Sequence, residues 1–210
     1  MKRCAIIGSG DLGQLIAYHG EQTGQYQVVG YFNDFLQPGE RVGHVPILGG
    51  QAHVESQFKN GQFDELFIGI GYRHLELRTA LFKRFSGHIP FGKMIHPSAY
   101  VDPSCHVGEG AVLLPGCVLD RNVSIGPNVL LNTGVRIAHD SRVGGHTFVA
   151  PAVAMAGFVQ VGQGCNLGIN TTVIDNITIV DGVRTGGGTV VIKNLIESGL
   201  YVGAPARFIR

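Results

Sequence analysis

The sequence predicts two folds in series: a small parallel α/β sheet over residues 1–92 and a parallel β-helix over residues 93–210. Three observations carry this. Apolar residues recur every six positions, without a slip, over residues 95–190; a Gly-x-Gly-x-x-Gly turn follows an apolar run at residues 3–7; and glycine supplies 32 of the 210 residues, about twice its ordinary share. Only 15% of residues are charged and 44% are hydrophobic, which excludes a disordered chain. A net charge of +1 gives no electrostatic footprint for nucleic acid or an anionic membrane.

In chain order, Arg3-Cys4-Ala5-Ile6-Ile7 reads as a buried strand. After the glycine turn, Leu12, Leu15, Ile16 and His19 mark an amphipathic helix. A second strand runs from Gln27 to Phe32 and ends in Asn33-Asp34. A loop with Pro38 and Gly39 leads to an extended Val45–Gly49 and a short helix. A third strand, Glu65–Gly71, precedes a helix bearing Arg73 and Arg78. This β-α-β alternation predicts a parallel sheet covered by helices.

From Ile95 the sixth-residue series runs through Leu119, Leu131, Ile137, Val149, Leu167 and Ile179, and only Thr185 breaks its aliphatic character. Four places after each member stands a small residue, with Ile177 the exception. A period of six is neither helical nor simply alternating. It fits coils of 18 residues, three hexapeptides to a coil, with aliphatics filling the interior and small residues at the corners. Glycines at the second hexapeptide position, such as Gly108, Gly126, Gly144, Gly162, Gly168 and Gly186, are expected at tight turns. Cys105, Cys117 and Cys165 fall on the small interior position and Cys4 on a strand, so all four read as core residues.

The turn Gly8-Ser9-Gly10-Asp11-Leu12-Gly13 follows a strand and opens a helix. Backbone N–H groups there can approach a phosphate, and Asp34, about twenty residues on, can accept from a ribose hydroxyl. A purely structural glycine turn is the alternative. About 90 residues hold one mononucleotide half of a dinucleotide fold and not two, which disfavours an NAD-dependent oxidoreductase. On the β-helix, His139 is at an outward position and Asp140 could orient its imidazole. By spacing alone a solvated surface pair is the favoured reading of the two. His146 is outward with no motif around it, and His19 and His74 fall on helices without a site signal.

The hexapeptides and the Tyr201-Val202-Gly203-Ala204-Pro205-Ala206-Arg207 tail resemble the left-handed β-helix acyltransferases, trimeric users of acyl-coenzyme A. With the N-terminal half included, the whole chain resembles the nucleotide-amino-sugar N-acetyltransferases and the related sialic acid O-acetyltransferases. Val29–Asp34 and Gly43–Gly49 look like that family's nucleotide-sugar loop. The resemblance implies transfer of an acetyl group from acetyl-coenzyme A to the amine of a nucleotide-linked 4-amino-4,6-dideoxy sugar, with no tightly bound cofactor and no metal. O-acetylation of a sialic acid is the alternative. The resemblance also implies His139 as general base with Asp140 behind it. Gly8, Ser9, Gly10, Gly13, Asn33, Asp34, Gly71, Arg78 and Asn132 are implied for the sugar nucleotide; Gly157, Ile169 and Gly187 for coenzyme A. The chain departs from the family at Leu12, where many members have histidine, at Asn33, where many have an acid, and at Phe148, where some have a second histidine. Without that histidine, backbone amides are left to serve the oxyanion.

A β-helical carbonic anhydrase needs two histidines five residues apart; His139 and His146 are seven apart. A scaffold without chemistry has no use for both the glycine loop and the His-Asp pair. The apolar stretch after Met1-Lys2-Arg3 stops at Gly8, too short for a signal peptide, and no apolar run reaches membrane-spanning length. A cytoplasmic homotrimer is the expectation.

Overall fold

The apolar run at the start forms β1 (Lys2–Ile7) in the computed structural model, which describes residues 1–210. The chain divides into two units, Met1–Met94 and Ile95–Arg210. In the first, β1 is followed by α1 (Asp11–Gln22), β2 (Tyr26–Phe32), β3 (Arg41–Val42), β4 (Val45–Gly49), α2 (Val54–Lys59), β5 (Glu65–Ile68) and α3 (Leu75–Phe85). The sheet order is β3-β4-β2-β1-β5. β1 pairs in parallel with β2 on one side and β5 on the other, so the strand order reverses at its carboxyl end. Crevices that bind ligands form at such reversals.

The sheet is not wholly parallel. β3 pairs antiparallel with β4 across Gly43-His44, and Gly43 has φ +62°. The hairpin escaped the sequence because β3 is two residues long and has no alternating pattern. Ile7, Phe32, Ile68, Leu81 and Phe85 share the core between sheet and helices, each contributing about 1.5–3 kcal/mol through burial.

The second unit is a left-handed parallel β-helix. Strands of two residues recur every six, and each pairs with the strand eighteen residues away: Leu119 lies beside Val101 and Ile137. Three sheets of six, five and eight strands result. The aliphatic series fills one continuous interior. Polar residues inside it are satisfied: Ser141 Oγ donates to Ala156 O at 3.1 Å, and Thr147 Oγ1 to Gly162 O at 3.0 Å. Thr185, the break in the aliphatic series, pairs with Thr171 through hydroxyls 2.7 Å apart.

The glycines expected at tight turns have another function. A β-carbon on Gly126 would lie 2.5 Å from Gly145 N, and one on Gly144 2.5 Å from the carbonyl carbon of Gly162. They permit successive coils to stack closely. The left-handed backbone comes two residues later, at Gly110, Asn128, Gly134, Asp140 and their counterparts, with φ between +53° and +72°. Most of these corner residues donate their N–H to a carbonyl one coil back, as Asp140 N does to Arg121 O (3.0 Å) and Asn170 N to Pro151 O (3.0 Å), while Gly116 N and Asn122 N donate to the hydroxyls of Ser98 (3.1 Å) and Ser104 (2.8 Å). Leu200–Val202 extends the eight-stranded sheet, and Arg207–Phe208 returns antiparallel beside it. No helix is long and apolar enough to cross a membrane.

Candidate active site

Two constellations are candidates for a site, one in each unit. In the first unit a cavity of about 380 Å³ opens at the carboxyl ends of β1, β2 and β5. The glycines around it divide by function. Gly8 has φ +96°, and a β-carbon on Gly13 would lie 2.0 Å from Gly8 O, one on Gly69 2.5 Å from Gly13 Cα. These three let α1, β1 and β5 meet backbone to backbone. Gly10 and Gly71 differ: both have negative φ, and an added β-carbon would meet nothing within 4 Å. Neither backbone strain nor packing asks for glycine there. Both stand at helix N-termini on the cavity wall, Gly10 before α1 and Gly71 before the 3₁₀ turn Tyr72–His74. Bare backbone at a helix N-terminus suits an anion.

Ser9, Asn33 and Asp34 also line the cavity. Asn33 Nδ2 donates to Ser9 Oγ at 2.7 Å, and its Oδ1 accepts from Phe35 N at 2.8 Å. Asp34 accepts from Gln51 N at 2.7 Å and Gln51 Nε2 at 2.6 Å. Phe35, 94% exposed, stands at the rim. His74, without a signal in the sequence, lines the cavity with Ile70 and Leu77.

Two expected binding residues do not reach it. Gly13 is the packing glycine described above. Arg78 is 1% exposed and donates through Nη1 to Ile68 O (2.7 Å) and Ile70 O (3.2 Å). Burial pushes its guanidinium down to about 10. It holds the Gly69–Gly71 turn from beneath.

In the second unit, His139 Nδ1 lies 2.9 Å from Asp140 Oδ2. Asp140 is a left-handed corner with φ +58°, which turns its carboxylate onto the preceding ring. Asn122, one coil back, donates Nδ2 to Asp140 Oδ1 at 3.0 Å, and Arg121 stands 3.7 Å from Oδ2. The hydrogen bonds from Asn122 and then His139 hold the Asp140 carboxyl below the usual carboxylate range. One coil on, Gly157 leaves room for the imidazole, and Phe158 meets it edge-to-face with ring centres 5.2 Å apart. The pair is a fixed, half-exposed imidazole with its other nitrogen unclaimed by Asp140, the arrangement of an oriented general base.

Asn132, Ile169 and Gly187 lie on a different edge of the coil. Asn132 turns its Oδ1 onto Thr133 N (2.8 Å), and Ile169 packs against Gly187. Ile169 follows Gly157 by twelve residues, two of the three edges of a coil. One chain does not bring them to His139. His146 is not a solvated histidine either: it is buried, with Nδ1 3.1 Å from Asn128 Nδ2. Phe148 is buried in its strand and has no side-chain donor. Cys117 and Cys165 are interior, their thiols pushed up to about 11 by burial. Burial raises Cys4 also, while Cys105 is only partly buried.

Residues 3–85 match the family described as the PglD N-terminal domain. The whole chain is similar to perosamine N-acetyltransferase from Caulobacter crescentus, solved in complex with CoA and GDP-perosamine. Identity is 30%, with 100% of this chain and 98% of the other covered and a TM-score of 0.92. The acetyltransferase domain of PglB from Neisseria gonorrhoeae has the same fold at 22% identity, with 100% of each chain covered and a TM-score of 0.91. WeeI from Acinetobacter baumannii shares it at 20% identity, again over 100% of each chain, with a TM-score of 0.81.

Proposed function

The chain belongs to the nucleotide-amino-sugar N-acetyltransferases, and from that premise we propose that it moves the acetyl group of acetyl-coenzyme A onto the 4-amino group of a nucleotide-linked 4-amino-4,6-dideoxy sugar. The observation that carries this reading is the His139–Asp140 pair, 2.9 Å apart on an exposed corner of the β-helix. Gly10 and Gly71, with Asp34, receive the nucleotide diphosphate and its ribose in the other unit.

His139 Nε2 takes the proton as the sugar amine attacks the thioester carbon, while Nδ1–H is held by Asp140. The C–N bond forms, the tetrahedral intermediate collapses, and the C–S bond breaks. The imidazolium returns its proton to the departing thiolate. Phe148 has no donor to offer the oxyanion, so backbone N–H groups serve it. Direct transfer is supported by the burial of the Cys4, Cys117 and Cys165 thiols, and the partly buried Cys105 turns its thiol onto Asp120 O at 3.0 Å.

Coenzyme A is held by Gly157 from one edge of the coil and by Ile169 and Gly187 from the next, roughly 15–20 Å away along the chain's own surface. A second copy must bring the two edges together, and we take the working unit to be a homotrimer. The co-substrate supports a cytoplasmic location.

The test is thiol release from acetyl-coenzyme A across UDP-, dTDP- and GDP-linked amino sugars, with a free sialic acid as control. GDP-perosamine, bound by the relative at 30% identity, is the first acceptor to try. Turnover with one nucleotide sugar and none with sialic acid is expected. Turnover with sialic acid alone would overturn the proposal.

A further inference from the structure

Phe158 stands at the fourth position of its hexapeptide, with φ +60°. The same position in neighbouring coils holds Asn122, Asp140 and Asn176, with φ of +59°, +58° and +59°. Asparagine, aspartate and glycine tolerate this left-handed backbone, but a bulky aromatic is an outlier there. The surrounding coil enforces it: Phe158 N donates to His139 O at 3.1 Å, the corner bond of this fold. The strained side chain is not hidden in a core, being 49% exposed. Its ring meets the His139 imidazole at 87° with centres 5.2 Å apart. Neighbouring Gly157 would drive a β-carbon into that same imidazole.

We infer that Phe158 is a positioning residue, a strained aromatic stop that confines the His139 imidazole between Gly157 and Asp140 so that Nε2 is presented to the acceptor amine. The inference rests on His139 being the base. Strain kept at a residue touching a reacting group, where its column offers relaxed alternatives, points to use and not to stability. Asn122 and Asn176 show that the corner itself does not need an aromatic. Asp140 fixes one nitrogen of the ring, but a single hydrogen bond leaves the ring free to rock about it. An aromatic edge on the opposite flank removes that freedom.

The experiment compares Phe158→Asn, Phe158→Tyr and His139→Gln in the intact enzyme. Phe158→Asn relieves the backbone, so its Tm should rise by about 2–4 °C. Its kcat should fall about threefold to tenfold, the scale of one lost aromatic contact, with KM for acetyl-coenzyme A unchanged. The ring-current shift on the carbon-bound protons of His139 should vanish with it. Phe158→Tyr keeps the ring and should restore kcat. A Phe158→Asn enzyme with wild-type kcat, a lower Tm alongside the lower kcat, or a Phe158→Tyr enzyme as slow as Phe158→Asn would each overturn the inference. If His139→Gln is inactive while Phe158→Asn is kinetically normal, this inference alone falls. If His139→Gln keeps full turnover, the base assignment falls and takes this one with it.

Discussion

A β-carbon on Gly157 would come within 2.6 Å of Cε1 of His139, one coil earlier in the β-helix. Gly157 has no positive φ, so alanine fits its backbone, and the obstructing atoms are the imidazole itself. Gly157→Ala should push the ring off Asp140. Misplacing a reacting group by about 1 Å costs on the order of 100-fold, so kcat should drop by 10- to 100-fold with Tm nearly constant. Steady-state kinetics beside a melting curve reads both, and a wild-type kcat would place the ring elsewhere during turnover.

His139→Ala removes the proton acceptor. Loss of a general base commonly costs about 10²–10⁴ in rate, and coenzyme A binding should be nearly intact by calorimetry. Asp140→Asn keeps the base but weakens its orientation, so it should cost less. Ping-pong kinetics, or an acetylated cysteine in a peptide map, would replace direct attack by an acyl-enzyme.

Asn122 is the first cause of the depressed Asp140 carboxyl, His139 the second. A carboxyl whose folded pKa is depressed supports the fold above its ordinary range and loses that support only as pH falls through the depressed value. Asn122→Ala should bring the midpoint up toward the ordinary ~3.9, so the hold on His139 fails at a higher pH than in the native enzyme. NMR titration of the Asp140 carboxyl carbon in both proteins measures this. Identical midpoints would remove Asn122 from the site.

Gly10→Val places a branched side chain where no protein atom stands within 4 Å of the first added carbon. The fold should tolerate it and the sugar nucleotide should not. KM for the nucleotide sugar should rise at least tenfold, about the 1.4 kcal/mol of one lost contact, while KM for acetyl-coenzyme A stays put. Equal changes in both would mean misfolding. Gly13→Ala is the contrasting variant, since its β-carbon would strike Gly8 O and should lower Tm first.

The β-helix could be read from sequence because each hexapeptide repeats one physical demand: an aliphatic inside, a small residue at the corner. The His139–Asp140 contact was legible for a related reason, since adjacency across a tight corner fixes the distance. Arg78 reads from sequence as a phosphate ligand because it follows a glycine turn, and only packing shows its guanidinium buried beneath that turn. His74 and Phe35 line the cavity, and a single rim residue leaves no periodic trace in the sequence. Phe158 did leave one. It is the bulky residue in a column, read at a step of eighteen, that otherwise holds Asn122, Asp140 and Asn176.

The antiparallel return of Arg207–Phe208 has a consequence for self-association. A stack of parallel coils has no intrinsic stop, because its last coil offers the next one an edge of unpaired N–H and C=O groups, the template on which fibres grow. Here Arg207–Phe208 runs back antiparallel along Leu200–Val202 and occupies that edge on the longest of the three sheets. The polarity is wrong for another coil of the same kind.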